Sequence, residues 1–404
     1  MSEMNEKVID IASLLTCPAG PLVVAPLEGD PAVDLSLVLP TYNEAKNIVP
    51  MLEQLISVLD YVAHLQYEII VVDDDSPDCT WEKALGFAEK HPQVRVVRRQ
   101  GERGLSTAVI RGWQAARGRF LGVMDADLQH PPEVAANIAR EMMRGADLSV
   151  ASRHVEGGGV SDWSLVRRVI SRGAQMIGYL LLPEVIGRIS DPMSGFFMIR
   201  RSTIQGRKLS PLGYKILIEV LGRSDVGWIS EVPYTFRERA EGSSKLTNQI
   251  YLQYFQHLMR LRFFLLHESK FVRFCVVGCS GVVIDMSLLY LFSDPKMLGW
   301  GLTRSKLLAA EAALMNNFVW NDLWTFGSVA QHQNTMGQRF RRFLKFNAIC
   351  SLGIFFNIVI LNIEFNLFHM NRYLANLIAI GLVTLWNYKS NKEFSWRVTA
   401  NPTS

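Results

Sequence analysis

The chain has 404 residues, a formal net charge of +4 and 49% hydrophobic residues. That length leaves room for two or three domains, since domains usually run to ~100–200 residues. A net charge this small gives no reason to expect nucleic acid as a partner. The five cysteines include no Cys-x-x-Cys pair, which favours a reducing compartment and no disulfide framework.

Residues 1–32 form a leader that we assign as a separate N-terminal tail. It has no positively charged start followed by a long apolar core, so we expect no cleaved signal peptide. Two alternatives remain for this leader: a loose, disordered tail or a small segment docked on the domain that begins at residue 33.

Short apolar strands alternate with helical patterns in the first half of the chain. Strands are predicted at 35–39, 67–72, 94–97, 120–124 and 148–151, with helices over 48–59 and from near Leu105. Acidic or turn-forming residues follow the strands. This alternation predicts an α/β fold, a doubly wound and mostly parallel sheet with a site along the carboxyl ends of its strands. Neither GxGxxG nor GxxxxGK[ST] is present, so we expect acidic residues to hold phosphates through a metal.

Three oxygen-bearing side chains, Asp125, Asp127 and Gln129, directly follow the apolar strand at 120–124. Side chains at i, i+2 and i+4 after a buried strand can converge on one hard divalent cation. Mg²⁺ or Mn²⁺ takes a few protein oxygens and leaves its other positions to the phosphates of a nucleoside diphosphate. The alternative for Gln129 is that it only caps the helix that opens at 131–133.

Eight motifs between residues 35 and 246 carry a family resemblance. In chain order they are VLPTYNE, VVDDDSPD, GLSTAVIRG, DADLQHPPE, ASRHVEGGGVSDW, RRVISRGA, SDPMSGF and VPYTFRERAEGSSKL. They resemble the dolichyl-phosphate mannosyltransferases and related polyprenyl-phosphate glycosyltransferases. The resemblance implies an A-type nucleotide-sugar glycosyltransferase fold, Rossmann-like, over residues 33–247. Asp75 departs from the family pattern, which has Asn there, and the leader has no counterpart in it.

The resemblance also implies a metal-assisted donor site. In the family, the residues that Asp125, Asp127 and Gln129 match hold the metal, which stabilises charge on the departing nucleotide. Positions matched to binding of the nucleotide-sugar are Pro40, Tyr42, Glu44, Asp73, Asp74, Asp125, Arg239 and Lys245. The loop that carries the last two also contains glycine and serines, which suit a mobile lid. The segments 40–43 and 73–77 are good turn sequences as well, and both roles can hold at once.

Basic residues match the acceptor side of the family. Arg153, Arg167 and Ser171 match its clamp for the lipid phosphate, and the last two, four residues apart, would share a helix face. Guanidinium groups suit a dianionic monophosphate because they are planar and donate several hydrogen bonds. The competing interpretation is a simple membrane-facing patch, since Arg168 and Arg172 also lie here.

The candidate catalytic residues are Asp127, Arg153 and Asp191. A phosphate acceptor is already deprotonated near neutral pH, so it needs positioning more than it needs a base. Asp191 matches a family carboxylate near the acceptor. Its alternative role is to cap a turn with Ser194.

The last third of the chain is strongly apolar, and we predict a membrane domain over residues 271–404. A helix needs ~20 residues to cross a ~30 Å hydrocarbon core. Four spans are predicted, at 274–292, 302–320, 346–368 and 374–388. They resemble the GtrA-like membrane family, an all-α domain of four helices.

An internal repeat supports the second span, which is the least apolar of the four. Asn317 and Asn321 recur 70 residues later as Asn387 and Asn391. Each copy is therefore predicted to be a helix pair, as in other duplicated membrane domains. For the repeated asparagines, helix packing is favoured over a direct functional role.

Basic residues are unevenly distributed around the spans. They cluster before the first span, between the second and third, and after the fourth. The positive-inside rule therefore predicts a multi-pass integral membrane protein with its catalytic domain and both termini in the cytoplasm. Residues 248–270 mix basic, aromatic and apolar side chains, which predicts one or two amphipathic helices against membrane lipids. A packed linker helix is the alternative.

Together these features predict an inverting glycosyltransferase that moves a hexose from a nucleotide-sugar to the phosphate of a polyprenyl or dolichyl lipid. The resemblance favours mannose from GDP-mannose, with glucose from UDP-glucose as the alternative donor. A lipid hydroxyl, as in diacylglycerol or ceramide, is the alternative acceptor. A non-catalytic lipid-binding scaffold is disfavoured because the metal triplet and the arginines are present. No Gln-x-x-Arg-Trp motif supports a processive polysaccharide synthase, and no oligomeric state is predicted.

Overall fold

The computed structural model describes residues 14–160, 165–237, 248–333 and 335–397. Side chains are described for all of these except 160, 165–171, 248–251 and 333. The chain divides into two compact units, Met1–Phe263 and Phe264–Ser404.

Strands and helices alternate along the first unit. Its strands are β1 (Leu14–Leu15), β2 (Val33–Thr41), β3 (Tyr67–Asp73), β4 (Val94–Arg98), β5 (Gly118–Val123), β6 (Leu148–Ser152), β7 (Gly159–Val160), β8 (Phe197–Arg200), β9 (Ile229–Pro233) and β10 (Thr235–Phe236). Its helices are α1 (Ile48–Asp60), α2 (Thr80–Ala88), α3 (Leu105–Ala115), α4 (Glu133–Met143), α5 (Leu165–Leu181), α6 (Pro183–Ile186), α7 (Arg201–Ile204) and α8 (Ile216–Arg223). A further helix, α9 (Asn248–Glu268), spans the division at Phe263.

Eight of the described strands form one sheet, in the order β1-β4-β3-β2-β5-β8-β6-β9. Every neighbouring pair is parallel except those of β8, which runs antiparallel to both β5 and β6. The predicted α/β fold with a mostly parallel sheet is therefore confirmed. The antiparallel β8 was not predicted. It brings the loop before it, 190–196, to the same edge of the sheet as the ends of β5 and β6.

Helices cover both faces of the sheet, which is why β2 and β3 are buried along most of their length. Leu35, Leu37 and Leu39 pack with α1 and α4 in one core. On the other face, α3 approaches so closely that a Cβ at Gly112 would lie 2.6 Å from Val38 Cγ1. Only the carboxyl ends of the central strands are left for a site, as in other doubly wound sheets.

The leader is docked on the first unit from residue 14 onward, so the expectation of a loose tail is wrong for this part. β1 adds to the sheet in parallel with β4. Farther along, Val24 is fully buried, and its carbonyl oxygen accepts a hydrogen bond from the backbone N–H of Gly206. An unpaired strand edge offers a row of backbone donors and acceptors, and the leader pairs with this edge of β4 at Val96 and Val97. Residues 1–13 lie outside the described part of the chain.

Segment 248–268 forms one helix, α9, with two different faces. The side chains of Tyr254, Leu258 and Leu261 are buried. Those of Leu252, Phe255 and Phe263 are about half exposed. The buried face agrees with the packed-linker interpretation, and the exposed apolar face leaves contact with membrane lipids as a prediction.

The second unit is helical. Its helices are α10 (Lys270–Ser293), α11 (Leu302–Trp320), α12 (Gly327–Ala330), α13 (Met336–Asn366) and α14 (Arg372–Ser390), with π-helical segments Asn321–Thr325 and Asn391–Ser395 and a 3₁₀ turn Gln331–Gln333. Among the described helices, α10 and α13 are long and apolar enough to cross a membrane by length and composition. The other two predicted spans coincide with α11 and α14, and their crossing of a membrane stays a prediction.

The two helix pairs pack through the same contact, a glycine on the first helix against an asparagine on the second. A Cβ at Gly281 would lie 2.3 Å from Asn317 Oδ1, and one at Gly353 would lie 2.5 Å from Asn387 Oδ1. Small residues at such contacts let helix backbones approach closely. Asn317 and Asn387 therefore pack the helices, in agreement with the favoured interpretation.

Replacing Gly281 with Ala is expected to destabilise the second unit by about 1–3 kcal/mol, because Asn317 must leave its place. The matched control is Gly278→Ala on the same helix, since a Cβ at Gly278 would meet no atom within 4 Å. The thermal midpoint of the purified protein in detergent should fall for the first variant and stay near wild type for the second. Equal midpoints would contradict the proposed packing role of Gly281.

Candidate active site

Asp73 ties together the two loops that follow β2 and β3. Its side chain is 0% exposed. Its carboxylate accepts hydrogen bonds from the hydroxyls of Thr41 and Ser76, at 2.8 and 2.7 Å, and from the backbone N–H of Ser76 at 2.8 Å. Asp73 therefore stabilises these two loops through its hydrogen bonds. Its predicted contact with the donor stays a prediction.

The predicted donor residues Pro40, Tyr42 and Glu44 lie at the end of β2 and in the loop after it. Pro40 is buried within the strand, and the partly exposed ring of Tyr42 faces the guanidinium of Arg103 at 5.4 Å. Glu44 accepts a hydrogen bond of 2.7 Å from the side-chain amide of Asn47. Tyr42 and Glu44 thus flank the carboxyl end of β2, as the sequence predicted.

Asp74 lies one residue beyond the end of β3, and the residue is 6% exposed. It accepts a 2.7 Å hydrogen bond from the backbone N–H of Gly104 and forms an ion pair of 2.7 Å with Arg99 Nε. Burial raises the pKa of Asp74 above its ordinary value, against the effects of Gly104 and Arg99. Arg99 was not predicted, because nothing in its spacing from Asp74 marks it as a partner.

The departure at Asp75 has a conformational explanation. This residue has a φ of +56°, in the left-handed region that Asn and Asp tolerate better than other residues with a side chain. Its carboxylate pairs with Arg98 at 2.6 Å. Asp can therefore replace the Asn of the family pattern without changing the course of the loop.

The predicted metal triplet lies just past the end of β5. Asp127 and Gln129 are 8% and 9% exposed, and the backbone N–H of Gln129 donates to Asp127 Oδ1 at 3.1 Å. The side-chain amide of Gln129 donates to the carbonyl oxygen of Arg237 at 3.2 Å, which fixes which end of the amide is the oxygen. The N-cap residue of α4, Pro132, makes no side-chain cap, and the amide of Gln129 bonds to Arg237 instead, so these contacts do not support the helix-cap alternative.

The donor atoms of this triplet suit a hard divalent cation. Two carboxylates and one amide oxygen are ligands that Mg²⁺ and Mn²⁺ prefer, and three protein ligands leave positions for phosphate oxygens. Within the described residues, no group of three or more His, Cys, Asp or Glu side chains gathers around a common point. That Asp125, Asp127 and Gln129 hold a metal stays a prediction.

Two residues confine Asp125. A Cβ at Gly195 would lie 2.6 Å from Asp125 Oδ2, so only glycine fits there while Asp125 keeps its position. His130 lies on another side, with its Nε2 atom 3.6 Å from the same oxygen. The His130 ring is buried against Phe196, Tyr234 and Phe236. Sequence analysis missed both residues, although each lies inside a quoted motif.

Arg153 and Asp191 form a bidentate ion pair. The Nε and Nη2 atoms of Arg153 donate to the two carboxylate oxygens of Asp191, at 2.6 and 2.7 Å, and the backbone N–H of Arg153 donates at 3.1 Å. Burial opposes the ionisation of Asp191, but Arg153 outweighs it and lowers the pKa of the carboxyl below its ordinary value. Asp191 therefore orients Arg153. The backbone carbonyl of Asp191 also accepts from Ser194 N–H at 3.2 Å, as the turn alternative expects.

Four predicted site residues cannot be placed by side chain. Arg167 and Ser171 lie on α5, in the stretch whose side chains are outside the described ones. Arg239 and Lys245 lie outside the described residues altogether. Their roles at the lipid phosphate and at the diphosphate stay predictions.

Lys215 is a further cation near this site that sequence analysis missed. It precedes α8, and its ammonium group donates to the carbonyl oxygen of Met193, in the loop that carries Asp191, at 2.8 Å. Burial and the charge of Arg153 lower the pKa of Lys215 to about 8, against the attraction of Asp125 and Asp191. A single lysine between apolar residues gives no sequence signal for such a position.

Glycosyl transfer is expected to slow as the pH rises through about 8, because Lys215 loses its charge there. Lys215→Arg should move this alkaline limb up by about one pH unit or more, since Arg stays charged throughout. The matched control is Lys208→Arg at an exposed position, which should leave the limb in place. The position of the alkaline limb is measured from initial rates against pH, at saturating substrates with Mg²⁺. An unchanged limb in Lys215→Arg would mean that another group titrates.

Two protein-family models match the chain. Residues 36–206 match glycosyl transferase family 2, and residues 273–396 match the GtrA/DPMS transmembrane domain. Together with the fold, these matches define a glycosyltransferase that carries a transmembrane domain, and thus a membrane protein.

Named relatives narrow this class. The dolichol-phosphate mannosyltransferase of Pyrococcus furiosus is 41% identical over 363 residues, which are 90% of this chain and 99% of that protein. The dolichol-phosphate mannosyltransferase of Saccharomyces cerevisiae is 35% identical over 252 residues, 60% of this chain and 92% of that protein. The chain belongs to the dolichol-phosphate mannosyltransferase family, and the resemblance predicted from the motifs is confirmed.

Some solved structures show a more distant likeness to the chain. One is the glucosyl-3-phosphoglycerate synthase of Mycobacterium tuberculosis in complex with Mn²⁺, UDP-glucose and phosphoglyceric acid. It is 22% identical with a TM-score of 0.45, over 57% of this chain and 80% of that one. The mannosyl-3-phosphoglycerate synthase of Rubrobacter xylanophilus is likewise 22% identical, with a TM-score of 0.44, over 58% and 75% of the two chains.

Proposed function

We propose that this protein transfers mannose from GDP-mannose to the phosphate of a dolichyl or other polyprenyl lipid, with inversion, and that the reaction needs Mg²⁺ or Mn²⁺. The observation that carries the proposal is the 41% identity to the P. furiosus dolichol-phosphate mannosyltransferase across 99% of that protein. Charged side chains at the carboxyl edge of the sheet support it. Asp125 and Asp127 suit a diphosphate held through a metal, and Arg153 suits a lipid phosphate.

On the donor side, Tyr42, Glu44 and Asp74 bind the base and ribose. Asp125, Asp127 and Gln129 would hold the metal, which would neutralise the diphosphate and supply Lewis-acid stabilisation for the charge on the departing nucleotide. Gln129 is oriented by Arg237. Arg239 and Lys245 match family residues at the diphosphate, and in this proposal their positive charges bind it and help to exclude water.

On the acceptor side, Arg153, Arg167 and Ser171 bind the lipid phosphate. A phosphate oxygen attacks the anomeric carbon; the new C–O bond forms as the bond to the diphosphate breaks, and the configuration inverts. The attacking oxygen carries no proton near neutral pH, so no general base is required. Asp191 serves by holding Arg153 in a fixed orientation, since both of its carboxylate oxygens accept from that guanidinium.

The membrane unit brings this chemistry to the lipid. Basic residues flank the apolar helices at one set of ends, and the positive-inside rule puts these ends in the cytoplasm. Both termini and the catalytic domain then lie on the cytoplasmic side. A nucleotide-sugar from the cytoplasm can reach a lipid phosphate in that leaflet.

A transfer assay on purified protein tests the proposal. GDP-mannose and UDP-glucose are offered separately with a polyprenyl phosphate, diacylglycerol or ceramide, in Mg²⁺, Mn²⁺ or EDTA. We expect labelled glycolipid from GDP-mannose and polyprenyl phosphate alone, and none in EDTA. Product from UDP-glucose would contradict GDP-mannose as the donor, and product on a lipid hydroxyl would contradict the phosphate as the acceptor. Transfer in EDTA would contradict the metal requirement.

A further inference from the structure

We infer that residues 16–21 of the leader form the outer wall of the donor site, beside Asp74, and hold in place the loop that contacts this carboxylate. The inference deepens the proposed function, on which it rests, because it assigns the nucleoside part of a nucleotide-sugar to this wall. The leader precedes the glycosyltransferase family match, which starts at residue 36. Nothing in the family pattern accounts for it.

The register of β1 directs the leader to the carboxyl edge of the sheet. Leu15 pairs with Val97 of β4, and the neighbouring Arg98 pairs with Asp73 of β3. The chain that leaves β1 at Thr16 therefore emerges on the side where the loops after β3 and β4 begin. Parallel strands bring their carboxyl ends to one edge, so residues 16–21 and Asp74 lie on the same side.

Cys17 lies in the part of the leader whose neighbour Gly20 contacts Arg111. Its thiol lies within electrostatic range of Asp74, Arg99, Glu102 and Arg111. It is partly exposed, and burial raises the pKa of its thiol above the ordinary value. Arg99 connects two of these residues, since its Nε atom pairs with Asp74 at 2.7 Å and its Nη1 atom lies 4.0 Å from Glu102 Oε2.

Hydrogen bonds connect the leader to the loop over Asp74. Arg111 donates to the carbonyl oxygen of Gly20 at 3.1 Å and to both carboxylate oxygens of Glu102, at 2.5 and 3.0 Å. Glu102 belongs to the loop that ends at Gly104, whose backbone N–H donates to Asp74. The leader carbonyl, Arg111 and Glu102 thus brace this loop from its outer side.

A second anchor holds the leader at residues 21–23, where the wall ends. Gln114 donates to the carbonyl oxygens of Pro21 and Val23, at 2.9 and 3.0 Å. Leu22 accepts from the backbone N–H of Leu209 at 2.9 Å. If the leader only covered the edge of β4, β1 and these anchors would be enough. Residues 16–21 also contact Arg111, which binds Glu102 in the loop over Asp74.

Labelling of Cys17 tests the wall directly. In a protein whose other cysteines (Cys79, Cys275, Cys279 and Cys350) are replaced by Ser, maleimide modification is followed by mass spectrometry. GDP with Mg²⁺ at ten times its measured Kd should slow the modification about tenfold, as occupancy of a shared site requires. The control protein also has Cys17 replaced by Ser and carries Glu28→Cys, at an exposed leader position, and GDP should not change its rate. Full-rate labelling of Cys17 with GDP bound would overturn the inference.

A bulky side chain on the wall gives an independent measurement. Cys17→Trp should raise the KM for GDP-mannose several-fold and leave the KM for polyprenyl phosphate unchanged. Glu28→Trp, at an exposed leader position, is the control and should change neither. Equal KM values for GDP-mannose in the two variants would contradict the wall. The leader would then only cover the edge of β4.

Repeating the labelling with UDP separates this inference from the donor assignment. Protection by UDP but not GDP would support the wall and overturn GDP-mannose as the donor. Transfer from GDP-mannose without any protection of Cys17 would keep the proposed function and reject the wall.

Discussion

Replacing Asp127 with Asn is expected to slow mannosyl transfer about a thousandfold, because a bound divalent cation contributes several kcal/mol and each 1.4 kcal/mol is a factor of ten in rate. Asn keeps the size of the side chain and an oxygen that can accept from the backbone N–H of Gln129. The fold should therefore survive while the ligand loses its charge. Initial rates across a Mn²⁺ titration, with GDP-mannose and polyprenyl phosphate saturating, measure the effect.

The matched control is Asp75→Asn, at the carboxyl end of β3. The carboxylate of Asp75 pairs with Arg98, and both side chains are about one-third exposed to solvent. Asn tolerates the left-handed backbone at this position as Asp does. Transfer should stay within about twofold of wild type, since an exposed pair contributes under ~1 kcal/mol. A thousandfold loss in both variants would trace the effect to the charge of the whole strand edge, and wild-type transfer by Asp127→Asn would remove this residue from the metal site.

The sheet was predictable because its strands are buried on both faces and read as nearly continuous apolar runs. β2 and β3 appear in the sequence as such runs, and the polar residues after them mark the carboxyl edge where a site must form. β8 was not predictable in the same way. Its four residues, Phe197–Arg200, could run in either direction, and only their place between β5 and β6 fixes the antiparallel one.

The members of the candidate site were predictable by motif, but their pairing was not. Arg153 and Asp191 lie 38 positions apart, and no spacing rule connects a residue after one strand with a residue in a distant loop. Lys215 and Arg99 were missed for the same reason. The structure adds partners, because contacts between loops depend on the packing of the whole sheet.

In the second unit the repeat predicted the helix pairs, and it also contains a repeated glycine that indicates how closely they pack. Gly281 and Gly353 recur 72 residues apart, and each faces an asparagine of its own pair. A glycine that repeats along with asparagines predicts close helix contact. The docked leader had no such signal, because its binding depends on an unpaired strand edge that only the folded sheet provides.

Breaking the Arg153–Asp191 pair from one side is expected to cost stability as well as activity. In Arg153→Gln the carboxylate of Asp191, which is 1% exposed, loses its cation, and in Asp191→Asn the guanidinium loses its anion. Removing one partner of a buried pair typically costs about 3–5 kcal/mol. Both single variants should therefore unfold at lower temperature in detergent, and a loss of transfer by either alone would not separate folding from binding.

The double variant Arg153→Gln with Asp191→Asn separates them. Two neutral side chains can hydrogen-bond to each other, so most of the lost stability should return, as a coupled pair requires. Transfer should not return, because a charge-assisted hydrogen bond to the lipid phosphate contributes about 1.5–3 kcal/mol and Arg153 offers more than one. We expect a loss of about a hundredfold or more in kcat/KM for polyprenyl phosphate, with GDP affinity unchanged. Wild-type transfer by a stable double variant would make the pair purely structural and leave the acceptor phosphate to Arg167 and Ser171.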